Sequence, residues 1–361
     1  MTPLPATRLR PQPRLPPKSN LSDSRTAPSY KQAGVDIAAA NAVIDRIRES
    51  VHSTHGPLVV SDIGGFGGAL RIPPGINDPV IVSSIDSVGT KVSIAAQARR
   101  YDTVGADIVN HGANDILVVG ALPCAFLDYF AASRLDPDVV ADVVEGAASA
   151  CGKLDCALLG GETAELPGVY QENEFDLAGC MIGVASEAEL IDIDRVRPGD
   201  AVVVLPSNGL HTNGYSLARR VFRGYSLDHV FPELGRPLVD ELLAVHRSYV
   251  RDLRELLPMV RSMAHITGGG LFDNIPRVLP DSLGVDLEWG AWQVPPVFEL
   301  IRKLGGVDFD EMCHVFNMGV GMAVICAPEN VDEFVYRIPG ASLAGTVRTL
   351  QQGEERVRIL T

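Results

Sequence analysis

An α/β architecture in two domains is what this sequence predicts, on three observations. The chain has 361 residues, too many for one ordinary core and enough for two domains of about 150 to 200 residues each. Short apolar runs end in glycine-rich or polar loops that lead into stretches of helical periodicity, the strand-loop-helix order of an α/β protein. That order restarts near Glu187, dividing the chain into an N-terminal domain (residues 28–187) and a C-terminal domain (residues 188–361).

Composition narrows the function classes. Hydrophobic residues make up 46% and charged residues 21%, the balance of a globular enzyme. A net charge of −14 argues against a nucleic-acid partner held by phosphate neutralisation, so an anionic substrate needs a lysine, backbone amides or a metal. No apolar run reaches the roughly 18 residues of a membrane span. The six cysteines show no C-x-x-C pair and no zinc-like spacing, and read as reduced thiols of a cytoplasmic protein.

Residues 1–27 are rich in proline and arginine, lack hydrophobic periodicity, and are expected to be a disordered extension. Prolines at 3, 5, 11, 13, 16 and 17 would break the amphipathic helix of a transit peptide. Ordered structure is expected from Ser29, followed by Ile37, Ala40, Ile44, Ile47 and Val51 at helical spacing. Lys31 stands just ahead of this helix, able to reach a neighbouring site, although a solvated lysine is the plainer reading. Gly64, Gly65, Gly67 and Gly68 flank Phe66 in a segment too glycine-dense for a regular element and matching neither a P-loop nor a dinucleotide fingerprint. A phosphate-cradling or lid loop and a plain tight turn both fit it. Residues 79–82 open a strand that runs into Asp86, Ser87, Thr90 and Lys91. A carboxylate at a strand end followed by a hydroxyl and an amine suits a metal beside phosphate.

The helix from about Thr103 aligns Asp107, His111, Asn114 and Asp115 on one face among small and apolar neighbours, so that face is expected to be covered. A buried carboxylate must be paired or bind a metal, which makes Asp115 the ligand candidate and His111 a hydrogen-bonded neighbour. A strand over 125–132 and a helix capped by Asp136 and Pro137 then lead to the apolar run 156–159. That run delivers Gly160-Gly161-Glu162-Thr163-Ala164-Glu165-Leu166-Pro167-Gly168. The glycines permit close backbone approach to a ligand, and a helical turn after them would put Glu162 and Glu165 on one face. A strand over 175–186 closes the domain.

In the second half, a strand over 200–205 precedes a polar loop holding His211 and Asn213, where the histidine is expected to meet substrate rather than core. Residues 238–263 read as one long amphipathic helix. Thr267, Gly268, Gly269 and Gly270 stand between a strand and a helix, an arrangement suited to an anion. Glycine turns account for residues 317–321 as well as function does.

Taken in order, residues 29–36, the Gly64 loop, residues 86–91, Asn114-Asp115, residues 160–168, 211–216, 267–270 and 317–321 resemble the phosphoribosylformylglycinamidine cyclo-ligases, or aminoimidazole ribonucleotide synthetases. The likeness is collinear from Ser29 nearly to the C-terminus, and the run from Gly160 to Gly168 is its most specific part. It implies a two-domain AIR-synthetase-type fold whose N-terminal sheet pairs across a homodimer into a β-barrel. It also implies conversion of formylglycinamidine ribonucleotide and ATP to aminoimidazole ribonucleotide, ADP and phosphate. By resemblance, Asp86 and Asp115 are Mg2+ ligands, and Lys31, the Gly64 to Gly68 loop, Thr90 and Lys91 lie near the triphosphate. Glu162, His211, Asn213 and the loop from Thr267 to Gly270 lie on the substrate and phosphoryl-transfer side. Phosphoryl transfer mainly requires positioning and charge neutralisation, which such residues supply.

Ser87 stands where the family has glycine, Met318 where it has cysteine, and His111-Gly112 replace bulkier, more apolar residues. Competing readings are a thiamine-monophosphate kinase or selenophosphate synthetase of the same superfamily, and a catalytically silent nucleotide-binding scaffold.

Overall fold

A computed structural model describes residues 37–360 of the chain. The expectations for residues 1–27 and for Lys31 lie outside the described residues. Helix α1 (Ile37–His52) precedes a four-stranded sheet made of β1 (Pro79–Ser87), β2 (Leu122–Ala132), β3 (Ala157–Glu165) and β4 (Phe175–Ser186), ordered β1-β4-β2-β3. β2 and β3 are parallel, whereas β4 is antiparallel to both β1 and β2. Helices α2 (Lys91–Ala98), α3 (Asp102–Val118) and α4 (Pro137–Lys153) connect the strands. As expected, Asp136 caps α4, its side chain accepting from the Asp138 amide, with Pro137 in the first turn. Glycine sets the closeness of the α3–α4 crossing: a Cβ on Gly105 would stand 1.9 Å from the Val143 carbonyl oxygen, and one on Gly146 1.8 Å from that of Asp102. Phe126, Phe130, Leu177 and Met181 are buried in the core of this half. The sheet also bears uncovered apolar groups, with Ile81 63%, Ile85 75% and Tyr129 38% exposed.

The second half is built on a six-stranded mixed sheet ordered β10-β7-β9-β5-β8-β6. Its elements in chain order are β5 (Ala201–Pro206), α5 (Tyr215–Val221), α6 (Leu238–Leu242), α7 (Val250–Leu253), β6 (Val260–His265) and α8 (Gly270–Asn274). They continue with β7 (Leu283–Glu288), α9 (Pro296–Gly305), α10 (Phe309–Val315), β8 (Val320–Cys326), α11 (Val331–Arg337), β9 (Ser342–Thr349) and β10 (Val357–Leu360). Every residue of β8 is buried, as suits an unbroken apolar run in an interior strand, here between β5 and the edge strand β6.

Two expectations are corrected. Glu162 and Glu165 do not follow the glycines on a helix. β3 continues through both, pairing Tyr129 with Glu162 and Ala132 with Glu165, so a spacing of three puts the carboxylates on opposite faces. Gly161 is required here for strand packing, because a Cβ would stand 2.3 Å from Asp128 Oδ1 and 2.4 Å from the Asp128 carbonyl oxygen. Glu165 Oε1 accepts from the Leu135 amide at 3.0 Å.

Residues 238–263 are not one helix either. Between α6 and α7 the chain has no regular secondary structure over 244–249, and its peptide groups are taken up by side chains from elsewhere. Lys91 donates to the Ala244 carbonyl (2.8 Å), Asn110 to that of His246 (2.7 Å) and Asn114 to that of Arg247 (2.9 Å). Asp107 accepts from the His246 amide (2.7 Å) and Asn114 Oδ1 from that of Tyr249 (2.9 Å). Helical periodicity is present in the stretch, but distant side chains replace the helical hydrogen bonds. Pro258 then precedes β6, where a helix could not continue.

Candidate active site between the two sheets

The polar face of α3 meets the second half of the chain, and that contact builds the site. β1 brings Asp86 to its end, α3 brings His111 and Asp115, and the end of β6 brings His265. His111 Nε2 lies 3.1 Å from Asp86 Oδ2 and 3.5 Å from Asp115 Oδ2. His265 Nδ1 lies 2.8 Å from Asp115 Oδ1, and the Ser84 hydroxyl donates to Asp115 Oδ2 at 3.0 Å. A cavity of about 490 Å³ opens over this group, lined among others by Asp86, His111, Asp115, His265, Thr267 and Arg277.

The electrostatics follow from the contacts. The hydrogen bond from His111 holds the Asp86 carboxyl below the ordinary carboxylate value, against partial burial. Burial works against an ionised Asp115, yet the hydrogen bond and charge of His265, aided by His111, leave its pKa lowered. For His111 the penalty of burial is overcome by Asp86 and Asp115, so its pKa is raised. Both shifts favour the ionised carboxylates, with the His111 ring between them.

Of the residues expected at the site, Asp86, Asp115 and Thr267 line this cavity. Thr90, Asn213 and Gly268 form a neighbouring group: Thr90 Oγ1 lies 3.2 Å from Ser216 Oγ, and a Cβ on Gly268 would stand 3.3 Å from Asn213 Oδ1. Asn274 shapes the glycine loop by donating to the carbonyls of Thr267, Gly268 and Gly270. The amide of Gly270 bonds back to the Thr267 carbonyl, so this one is not free for an anion. Asn114 faces the irregular segment 244–249 instead of the cavity. Gly64, Gly65, Gly67 and Gly68 form an exposed loop that lines no part of the cavity; Gly68 packs on Leu159, while Phe66 at the tip is fully exposed. Glu162 is likewise exposed, on β3. Ser87 ends β1 with an ordinary backbone conformation, and its amide donates to Asp86 Oδ1 at 2.6 Å, so a side chain is tolerated there.

Lys91 and His211 are not where the sequence reading put them. Lys91 is fully buried: its ammonium lies 2.7 Å from Asp107 Oδ2 and also donates to the carbonyls of His211 and Ala244. Burial drives Lys91 down and Asp107 up, each toward its neutral form, against their mutual attraction. An amine held in this way, with Asp107 and two carbonyls as its partners, stitches the two halves together. His211 is only 1% exposed, and its ring stacks on His246 with centroids 4.0 Å apart. Burial keeps it neutral. Its backbone is left-handed (φ 61), as is that of Met318 (φ 49), a conformation uncommon for side-chain-bearing residues.

Sequence reasoning passed over His265, Arg277, Asn274 and His246. His265 directly precedes Ile266-Thr267-Gly268, which offered a local signal. Arg277 and His246 carried none, because the folded chain alone brings them to the site.

The chain matches two family models in sequence, the N-terminal domain of AIR synthase related protein over residues 68–185 and the C-terminal domain over residues 197–347. It is 43% identical over 343 residues to a phosphoribosylformylglycinamidine cyclo-ligase of Oleidesulfovibrio alaskensis, covering 92% of this chain and 98% of that one. It is 48% identical over 318 residues to the protein of that name from Myxococcus xanthus, covering 86% and 92%. Among solved structures it resembles a thiamine-monophosphate kinase from Stenotrophomonas maltophilia (TM-score 0.63, 17% identity, 88% of this chain and 95% of that one). It also resembles the hydrogenase maturation protein HypE in complex with ATP (TM-score 0.65, 16% identity, 89% and 90%). These two likenesses establish the fold, and the sequence relatives establish the family: the chain belongs to the phosphoribosylformylglycinamidine cyclo-ligases of the AIR synthase related proteins.

Proposed function

We propose that this chain closes the imidazole ring of aminoimidazole ribonucleotide from formylglycinamidine ribonucleotide, consuming ATP and releasing ADP and phosphate. The observation that carries this reading is the 43% and 48% identity, over most of the chain, to relatives of that name. Residues 28–187 form the ATP-binding and dimerising half, and residues 188–361 the second half of the site.

An amide oxygen is a poor leaving group, so ATP phosphorylates the formyl oxygen. The ribose-bearing amidine nitrogen then attacks the formyl carbon, and phosphate departs with that oxygen. Asp86 and Asp115 fit Mg2+ because both carboxylates line one cavity and reach the same His111 Nε2, at 3.1 and 3.5 Å, and carboxylate oxygens are the donors this ion takes. Bound there, Mg2+ supplies neutralisation of phosphate charge. Thr267 and Arg277, lining the same cavity from the other half, offer a hydroxyl and a guanidinium to an anionic group. His111 positions both carboxylates. No helix among the described residues is long and apolar enough to cross a membrane.

The active form is a homodimer in which two four-stranded sheets face each other as a barrel. Ile81, Ile85 and Tyr129 support this, since apolar groups on such a sheet call for cover. Glu162, paired with Tyr129, then lies near that interface.

The test is substrate labelled with heavy oxygen at the formyl group, turned over with magnesium ATP. Label is expected in inorganic phosphate. Label found only in water overturns the phosphorylated-amide route, and no turnover of this substrate overturns the assignment.

A further inference from the structure

Behind the cavity wall lies a buried histidine cluster that the proposed reaction does not use. His211 comes from the loop after β5, His246 from the irregular segment between α6 and α7, and His265 from the end of β6. Donor nitrogens of these three buried rings lie within 4.8 Å of one another.

The hydrogen-bond network fixes where the protons sit. Asn114 is held by both ends of its amide, with Oδ1 accepting from the Tyr249 amide and Nδ2 donating to the Arg247 carbonyl. Its Nδ2 therefore faces His246 Nε2, 3.2 Å away, as a donor, and that nitrogen presents a lone pair. The His246 hydrogen is then on Nδ1 toward Thr212 Oγ1 at 3.3 Å, and the Thr212 hydroxyl donates to His111 Nδ1 at 2.8 Å. At the other end Asp115 Oδ1, an acceptor, faces His265 Nδ1 at 2.8 Å. The hydrogen of neutral His265 is thus on Nδ1, and its Nε2 also presents a lone pair. These two Nε2 atoms are 3.0 Å apart. Two lone pairs at that distance repel unless a cation joins them. Nearby, His211 Nδ1 is buried with no hydrogen-bond partner, and its Nε2 meets the Asn208 amide only at 3.5 Å, so this ring too is left under-satisfied at the same place.

From this geometry we infer a binding site for a borderline transition-metal ion of the Zn2+ class, held by His246 Nε2, His265 Nε2 and the free nitrogen of His211. Nitrogens that each lie about 2.0–2.1 Å from one tetrahedral ion are about 3.3 Å from each other, and the His246–His265 pair is close to that spacing. Because His211 is stacked on His246, its ring turns out of the stack to complete the set. Burial keeps His211 and His246 neutral and hence able to ligate. Asp115 behind His265 gives the carboxylate–histidine arrangement that orients a ligating ring and raises its basicity. His265 lines the cavity, which provides the entry path. Imidazole donors favour Zn2+, Co2+, Ni2+ or Cu2+ over Mg2+, so this ion is distinct from the one that accompanies ATP.

The experiment is Co2+ titration of the full chain after chelator treatment, without substrate or ATP, so its outcome is independent of the proposed reaction. One equivalent of Co2+ is expected to develop the intense visible absorption of a tetrahedral nitrogen-ligated ion, to be displaced by Zn2+, and to persist in excess Mg2+. His246→Gln is expected to weaken Co2+ binding by about tenfold or more. If that variant does not fold, X-ray absorption of the wild-type protein loaded with Zn2+ decides, with imidazole scattering from three rings expected. Absence of the visible bands, the weak spectrum of an octahedral oxygen-ligated ion, unchanged affinity in the folded variant, or a Zn2+ shell without imidazole each overturns the inference.

Discussion

Replacing Lys91 by methionine separates a phosphate-binding amine from a structural one. The ammonium is fully buried 2.7 Å from Asp107, and it donates to the His211 and Ala244 carbonyls at 3.2 and 2.8 Å. Lys91→Met keeps the approximate length of the side chain but leaves a buried carboxylate without its counter-charge. Breaking such a pair from one side costs about 3–5 kcal/mol, a large part of the 5–15 kcal/mol typical of a folded domain. At about 2–4 °C per kcal/mol, the midpoint should fall by roughly 10 °C. Without its cation the carboxyl of Asp107, already raised by burial, rises further. The folded variant then holds a proton that the unfolded chain gives up, so the loss grows as pH rises above the ordinary carboxyl value and shrinks in acid. Adding Asp107→Asn removes the stranded charge, keeps an acceptor for the His246 amide, and should restore most of the stability. Urea denaturation of the wild type and both variants at two pH values, alongside ATP binding, is the assay. A Lys91→Met protein as stable as the wild type but deficient in ATP binding would refute the structural role and return the amine to the nucleotide.

Asp128 is partly buried in β2 and its carboxyl is pushed up to about 7, chiefly by burial. The gap from the ordinary 3.8 corresponds to about 4 kcal/mol before allowance for residual solvent, lost from stability as pH rises from about 4 to about 7. Asp128→Asn should therefore stabilise the protein at alkaline pH and flatten that dependence in urea titrations, and a less stable variant there would contradict it. Ile85→Lys, at a position 75% exposed, should convert the proposed dimer to monomers in sedimentation, and an unaltered dimer would move the interface elsewhere. Asp86→Asn and Asp115→Asn should each weaken magnesium ATP binding and turnover, and unchanged activity in either removes that residue from the metal site. Deleting residues 1–27 should leave activity and melting temperature nearly unchanged, because a segment without apolar periodicity has little to bury; lost cyclisation would place it in the site.

Local sequence was enough to find β1, β2, β4, β8, α3 and α4, because each writes its own signal in periodicity, caps or an unbroken apolar run. It also pointed to Asp86 and Asp115, which the fold brings to one cavity, since a carboxylate at a strand end and another on a covered helix face are local patterns. What it could not decide was what covers that face. The polar row of α3 pairs with the irregular chain over 244–249, where hydrogen bonds with Asp107, Asn110, Asn114 and Lys91 outweigh local helical periodicity. For the same reason Lys91 and His211 looked like open ligand contacts in sequence and are buried in the fold. Glu162 and Glu165 fell on opposite faces because pairing with β2 kept their segment extended. His246 met His265, and Arg277 joined the cavity, only through tertiary contact. Burial and pairing depend on residues more than a hundred positions apart, so the tertiary structure alone assigned each polar side chain either to holding the halves together or to lining the site.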